Sequence, residues 1–127
     1  MARMTVFIVS ADTALRDSVA KLLASAGLRA EILPSLQAWL ESAGPEPQGW
    51  LVLDAGAGDL VEPAGLARFA SACARIPVLV LTERGDVPMA VRAIKYGAVD
   101  VLQKPFRDSD LLERIKRAVV ENVDVDA

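Results

Sequence analysis

At 127 residues, 53% apolar but only 5% aromatic, the chain suits one domain whose core is filled by aliphatic side chains. A net charge of −3 leaves no basic footprint, which argues against direct nucleic-acid binding by this segment. With no histidine and one cysteine, Cys73, the segment can build neither a Ser-His-Asp triad, a His-ligated zinc site nor an internal disulfide, and it fits a reducing cytoplasm.

Thr5-Val6-Phe7-Ile8-Val9 is a continuous β-favouring run, the form expected of a strand buried on both faces. Its apolar stretch ends by Asp12 without a clean small-residue cleavage site, which favours a first strand over a signal peptide. Leu15, Val19, Leu22, Leu23 and Ala26 then recur at helical spacing, with Gly27 where a left-handed cap belongs. Arg29 to Leu33 reads as a weaker second strand. Ser35 is placed to cap a short helix that turns Leu36, Trp39 and Leu40 inward.

The Pro- and Gly-rich segment Gly44 to Gly49 predicts a loop, and Trp50-Leu51-Val52-Leu53 a third strand closed by Asp54. Leu66, Phe69, Ala70 and Cys73 mark helix three, with Pro63 in its first turn and Cys73 as a small core residue. Pro77 opens a fourth strand, Val78 to Leu81, closed by Thr82. Helix four follows Asp86 with Val87, Val91 and Ile94 on one face and Gly97 at its end. Strand five spans Val99 to Gln103 ahead of Lys104. Leu111, Leu112, Ile115 and Val119 line the last helix, and the tail from Asn122 is expected to fray.

Strands alternating with helices imply right-handed crossovers and a three-layer α/β/α sandwich. Five such units suit a flavodoxin-like doubly wound parallel sheet in the order 2-1-3-4-5. In that order the loop after strand one lies beside Asp54, and Thr82 and Lys104 share the same carboxyl edge, where ligands of open parallel sheets bind. A carboxylate, a hydroxyl and an ammonium gathered there suit phosphoryl transfer, which asks for positioning and cationic charge more than for covalent help.

The ordered run Leu81-Thr82-Glu83-Arg84-Gly85-Asp86-Val87-Pro88-Met89-Ala90-Val91-Arg92-Ala93 carries a more specific signal. It continues through Gly97-Ala98-Val99-Asp100 to Lys104-Pro105-Phe106. With these matches the chain resembles the receiver domain of bacterial two-component response regulators, the FixJ-type branch in particular, over about residues 4–120. The resemblance implies a single receiver domain over 1–127, with 121–127 a frayed tail or the start of a linker. It implies that Asp54 accepts the phosphoryl group, Thr82 hydrogen-bonds it and Lys104 pairs with it, with a cis Lys104–Pro105 bond. It implies a signalling module rather than an enzyme.

The resemblance is broken at the metal site. Relatives carry consecutive acids after strand one, whereas this chain reads Val9-Ser10-Ala11-Asp12, with Ser10 and Ala11 in the two acidic places. The remaining candidate ligands are Asp12, Asp54 and the carbonyl of Gly56. Two unit charges about 4 Å apart interact by roughly 4 kcal/mol at an effective dielectric near 20, so losing two acids removes much of the attraction for magnesium. Magnesium is therefore expected to bind weakly or not at all, and Asp54 to pair with Lys104 at rest. Val101 stands where relatives have an aromatic switch residue, which weakens the expected coupling from Thr82 outward.

The partners implied are a sensor histidine kinase and an output domain, of the DNA-binding helix-turn-helix kind, beyond residue 127. A homodimer through helix four, strand five and helix five is also implied, with Arg92, Lys95, Tyr96, Asp100 and Val101 on that face. An alternative is a pseudo-receiver that acts as a phosphorylation-independent interaction module. A haloacid-dehalogenase-type phosphatase lacks its Asp-x-Asp here, and a flavin binder lacks aromatic residues in the Gly56–Gly58 loop.

Overall fold

Residues 5–44, 47–55 and 60–126 are described by a computed structural model of the chain. Among them five strands alternate with five helices: β1 (Thr5–Val9), α1 (Thr13–Ser25), β2 (Arg29–Leu33), α2 (Leu36–Ser42), β3 (Gly49–Asp54), α3 (Pro63–Cys73), β4 (Val78–Thr82), α4 (Val87–Lys95), β5 (Asp100–Gln103) and α5 (Asp108–Asp126). The strands form one parallel sheet in the order β2-β1-β3-β4-β5, as the alternation predicts.

Strand periodicity divides the core in two. Leu51 and Leu53 of β3 face a cluster with Trp39 of α2, Phe69 and Ala72 of α3 and Ala93 of α4. Trp50 and Val52 face the opposite cluster, with Val19 and Leu23 of α1 and Leu111 and Ile115 of α5. Alternate side chains of one strand thus feed both layers, which is why β3 and β4 read as unbroken apolar runs. The edge strand β2 is mostly exposed and reads weaker for the same reason.

Local capping follows the side chains. Asp12 caps α1, Ser35 caps α2 and Asp86 caps α4, each carboxylate or hydroxyl oxygen accepting from backbone N–H groups of the first turn. After α1 the Leu28 N–H donates to the Leu23 carbonyl at 2.9 Å across Gly27, whose φ of 75° suits glycine.

Packing decides three faces that spacing alone leaves open. Val87, Val91 and Ile94 do share a face of α4, but it points outward, at 58%, 61% and 51% exposed; α4 buries Ala93 instead. Periodicity defines a stripe without saying which side of it the sheet covers, and small alanines let α4 sit close to the core. On α3 the inward stripe is Gly65, Phe69 and Ala72, so Ala70 is exposed. Val101 is half-buried against the first cluster rather than exposed. The α5 backbone is helical through Asp126, and no glycine or proline interrupts it. Burial pushes the half-buried Cys73 thiol up to about 11, so it packs as a small apolar group and not as a nucleophile.

Candidate functional site

Parallel register brings the site together. Val9 pairs with Leu53, so Ser10, one residue past β1, falls beside Asp54 at the end of β3. Asp54 pairs with Leu81, which sets Thr82 one step further along the same edge. The Lys104 N–H donates to the Thr82 carbonyl at 2.8 Å, and the Lys104–Pro105 bond is cis. The three residues nominated for phosphoryl chemistry therefore share one edge of the sheet.

Lys104 Nζ lies 2.5 Å from Asp54 Oδ1, the ion pair expected at rest, with side chains 23% and 12% exposed. Two partners were not foreseen. Glu83 Oε1 takes the same ammonium at 3.2 Å from a largely exposed position. Ser10 donates its hydroxyl to Asp54 Oδ2 at 2.8 Å, so the residue read as a lost acid is a hydrogen-bond donor. Neither has a sequence signal of its own: a serine after a strand and a glutamate in a turn are ordinary solvated residues until register seats them.

Thr82 is 1% exposed, and among the described residues its Oγ1 has no hydrogen-bond partner. An unmade bond on a buried hydroxyl costs about 1–3 kcal/mol, a penalty that an arriving acceptor can relieve. Arg92 of α4 reaches the Leu60 carbonyl at 2.8 Å, tying α4 to the chain just ahead of α3. Sequence reading placed Arg92 only on an outer face.

The donor set does not suit a divalent cation. Asp54 has Oδ1 on Lys104 and Oδ2 on Ser10, while Asp12 turns its Oδ1 to the N–H groups of Ala14 and Leu15 at 3.0 and 3.2 Å. Asp12 therefore serves as the N-terminal cap of α1. Gly56 lies outside the described residues. No group of three or more acidic, histidine or cysteine side chains converges among the described residues. Magnesium relies on carboxylates and near-ideal octahedral geometry, and the Asp54 carboxylate is already paired on both oxygens.

Burial works against the Lys104 charge, but the hydrogen bond and charge of Asp54, then those of Glu83, outweigh it and hold the lysine above its ordinary value of 10.5. A raised lysine value means that this contribution to stability is complete below the unfolded-state value and disappears as pH climbs through the folded-state value. As pH climbs above about 10 the native chain should therefore lose melting temperature faster than Lys104→Met. Parallel slopes in thermal melts of the two chains over that range would refute this account of the lysine.

Residues 6–116 match the family model described as response regulator receiver domain. Over 117 residues the chain is 38% identical to the response regulator protein TmoT of Ectopseudomonas mendocina, covering 90% of this chain and 52% of that protein. It is 38% identical over 130 residues to the transcriptional regulatory protein FixJ of Rhizobium meliloti, covering 99% of this chain and 64% of that one. The crystal structure of FixJ-N superposes with a TM-score of 0.80 at 38% identity, covering 93% of this chain and 94% of that one. The chain spans roughly half to two thirds of the length of these curated relatives.

Proposed function

Because the chain belongs to the response regulator receiver domain family, we propose that it accepts a phosphoryl group on Asp54 from a sensor histidine kinase and passes that state to an output partner. Receiver domains are signalling modules rather than enzymes, and the relatives named above are regulators of the FixJ type. The observation that carries the proposal is the seating of Asp54, Lys104 and Thr82 at one sheet edge, with an ammonium on the carboxylate and a buried hydroxyl that has no partner among the described residues.

In this reading the Asp54 carboxylate is the acceptor, Lys104 shifts its ammonium to the added phosphoryl oxygens, and Thr82 supplies the hydroxyl that closes on them. Receiver domains use magnesium at this site; here it is held weakly or not at all, because Ser10 and Ala11 stand where relatives carry two acids after β1. The output partner we propose is a DNA-binding helix-turn-helix domain that follows residue 127, with transcription as the controlled process and the cytoplasm as its place. No helix among the described residues is long and apolar enough to cross a membrane. Labelling with acetyl phosphate, native chain against Asp54→Asn, tests the assignment. An unlabelled native chain that still engaged its partner would favour a phosphorylation-independent module instead.

The outward stripe of Val87, Val91 and Ile94, with a 390 Å³ apolar hollow formed by Ala90, Val91, Ile94, Asp100 and Val101, supports a homodimer through α4, β5 and α5. Ile94→Glu would place a charge in the centre of that surface. It should weaken self-association by about tenfold or more in sedimentation velocity while leaving the melting temperature within a few degrees. Unchanged self-association of a dimeric chain would place the interface elsewhere.

A further inference from the structure

The hydroxyl of Ser10 is buried, at 2% residue exposure, and its surroundings fix its direction. The Asp12 N–H donates to Ser10 Oγ at 3.0 Å, which uses a lone pair and leaves the hydroxyl proton for Asp54 Oδ2, 2.8 Å away. Lys104 holds the other oxygen of the same carboxylate. Both bonds are charge-assisted, the stronger class of hydrogen bond. The same turn that brings the Asp12 N–H onto Ser10 sends the Asp12 carboxylate away onto the start of α1.

We infer that Ser10 is a positioning residue which, together with Lys104, closes both oxygens of Asp54 and so stands in the place of a divalent cation in this pocket. The inference deepens the receiver reading and rests on Asp54 as its acceptor. A cation entering the pocket has to displace the Ser10 or the Lys104 bond, and among the described residues no cluster of three acidic side chains stands ready to reward the exchange. Restoring an acid at residue 11 alone leaves the Ser10 bond intact. Opening the site requires removing the hydroxyl as well. The orientation and charge balance of Asp54 are therefore set by the chain and are indifferent to divalent-ion concentration.

Magnesium chloride titrations, at matched ionic strength and without any phosphoryl donor, test this on the full chain. The readouts are the melting temperature and the backbone amide shifts of residues 10–12 and 54. The native chain and Ser10→Thr, which keeps the hydroxyl, should show no saturable response at millimolar magnesium. Ser10→Asp/Ala11→Asp should saturate, with at least about tenfold tighter binding than Ala11→Asp. If the double acid does not fold, Ser10→Ala/Ala11→Asp carries the comparison and should bind magnesium more tightly than Ala11→Asp. A saturable response in the native chain overturns the inference. So does equal binding by Ala11→Asp and the variants that lack the hydroxyl. Acetyl phosphate labelling in parallel reads the receiver assignment separately: an unlabelled native chain fails that assignment and leaves the magnesium comparison standing.

Discussion

Asp54→Asn should leave the chain without phosphoryl label from acetyl phosphate and should also make it less stable, by about 1–2 kcal/mol. The first result follows from chemistry, since an amide oxygen is too poor a nucleophile to form the acyl phosphate. The second has a sign peculiar to this pocket. Where several carboxylates crowd a phosphoacceptor, neutralising one relieves repulsion and stabilises the fold. Here the direct partners of Asp54 are a hydroxyl donor and an ammonium, and the one carboxylate nearby, the largely exposed Glu83, shares that ammonium, so the attraction removed outweighs the repulsion relieved.

The magnitude lies between two limits. An exposed pair is worth up to about 1 kcal/mol, while stripping one partner from a buried pair costs about 3–5 kcal/mol. Lys104 remains 23% exposed and keeps Glu83, which places the loss toward the lower limit. Chemical denaturation reads the stability arm, and intact-mass measurement after acetyl phosphate reads the other. Undiminished labelling would move the acceptor to another carboxylate, and a stabilised variant would show that Asp54 sits among uncompensated negative charge.

Gly49→Ala should cost about 3–5 kcal/mol, the largest loss of stability expected from a single added methyl group. Gly49 opens β3 at a φ of 132°, and a Cβ there would lie 1.8 Å from the Thr5 carbonyl oxygen and 2.8 Å from the Thr5 nitrogen of β1. The obstruction is backbone, so no rotamer change can clear it; β1 and β3 must part or the chain must twist out of register. Backbone strain of about 1–3 kcal/mol adds to an overpacking cost of similar size. Against a total stability of about 5–15 kcal/mol this is a large fraction. Gly44→Ala is the matched control, because a Cβ there meets nothing within 4 Å. If the two variants melt together, the close approach of Gly49 to Thr5 is wrong. Because β1 and β3 also carry Ser10 and Asp54 at their far ends, Gly49→Ala should disturb the site as well as the fold.

Much of the architecture was legible in the residues because it is local. β-Branched runs, helical spacing, the caps at Ser35 and Asp86 and the glycine after α1 each act within a few positions. Their alternation implies a parallel sheet with right-handed crossovers. Asp54, Thr82 and Lys104 were legible because strand ends in such a sheet share an edge. The pairing of Asp54 with Lys104 followed once the acids after β1 were seen to be missing.

Tertiary structure decided what periodicity leaves open. The stripe of Val87, Val91 and Ile94 is real, but only packing shows that α4 turns Ala93 to the sheet and leaves the valines in solvent. Asp12 is a carboxylate near the site in sequence, yet its side chain serves α1. Ser10 and Asp54 are 44 residues apart, and a hydrogen bond between them depends on the register of β1 against β3. A serine carries the same local signal whether it faces water or a buried carboxylate. Residue types in order thus determined the layers and the chemistry at the sheet edge. Which oxygen of Asp54 each partner holds was settled by long-range register, because hydrogen-bond direction depends on distances and angles that no local spacing contains.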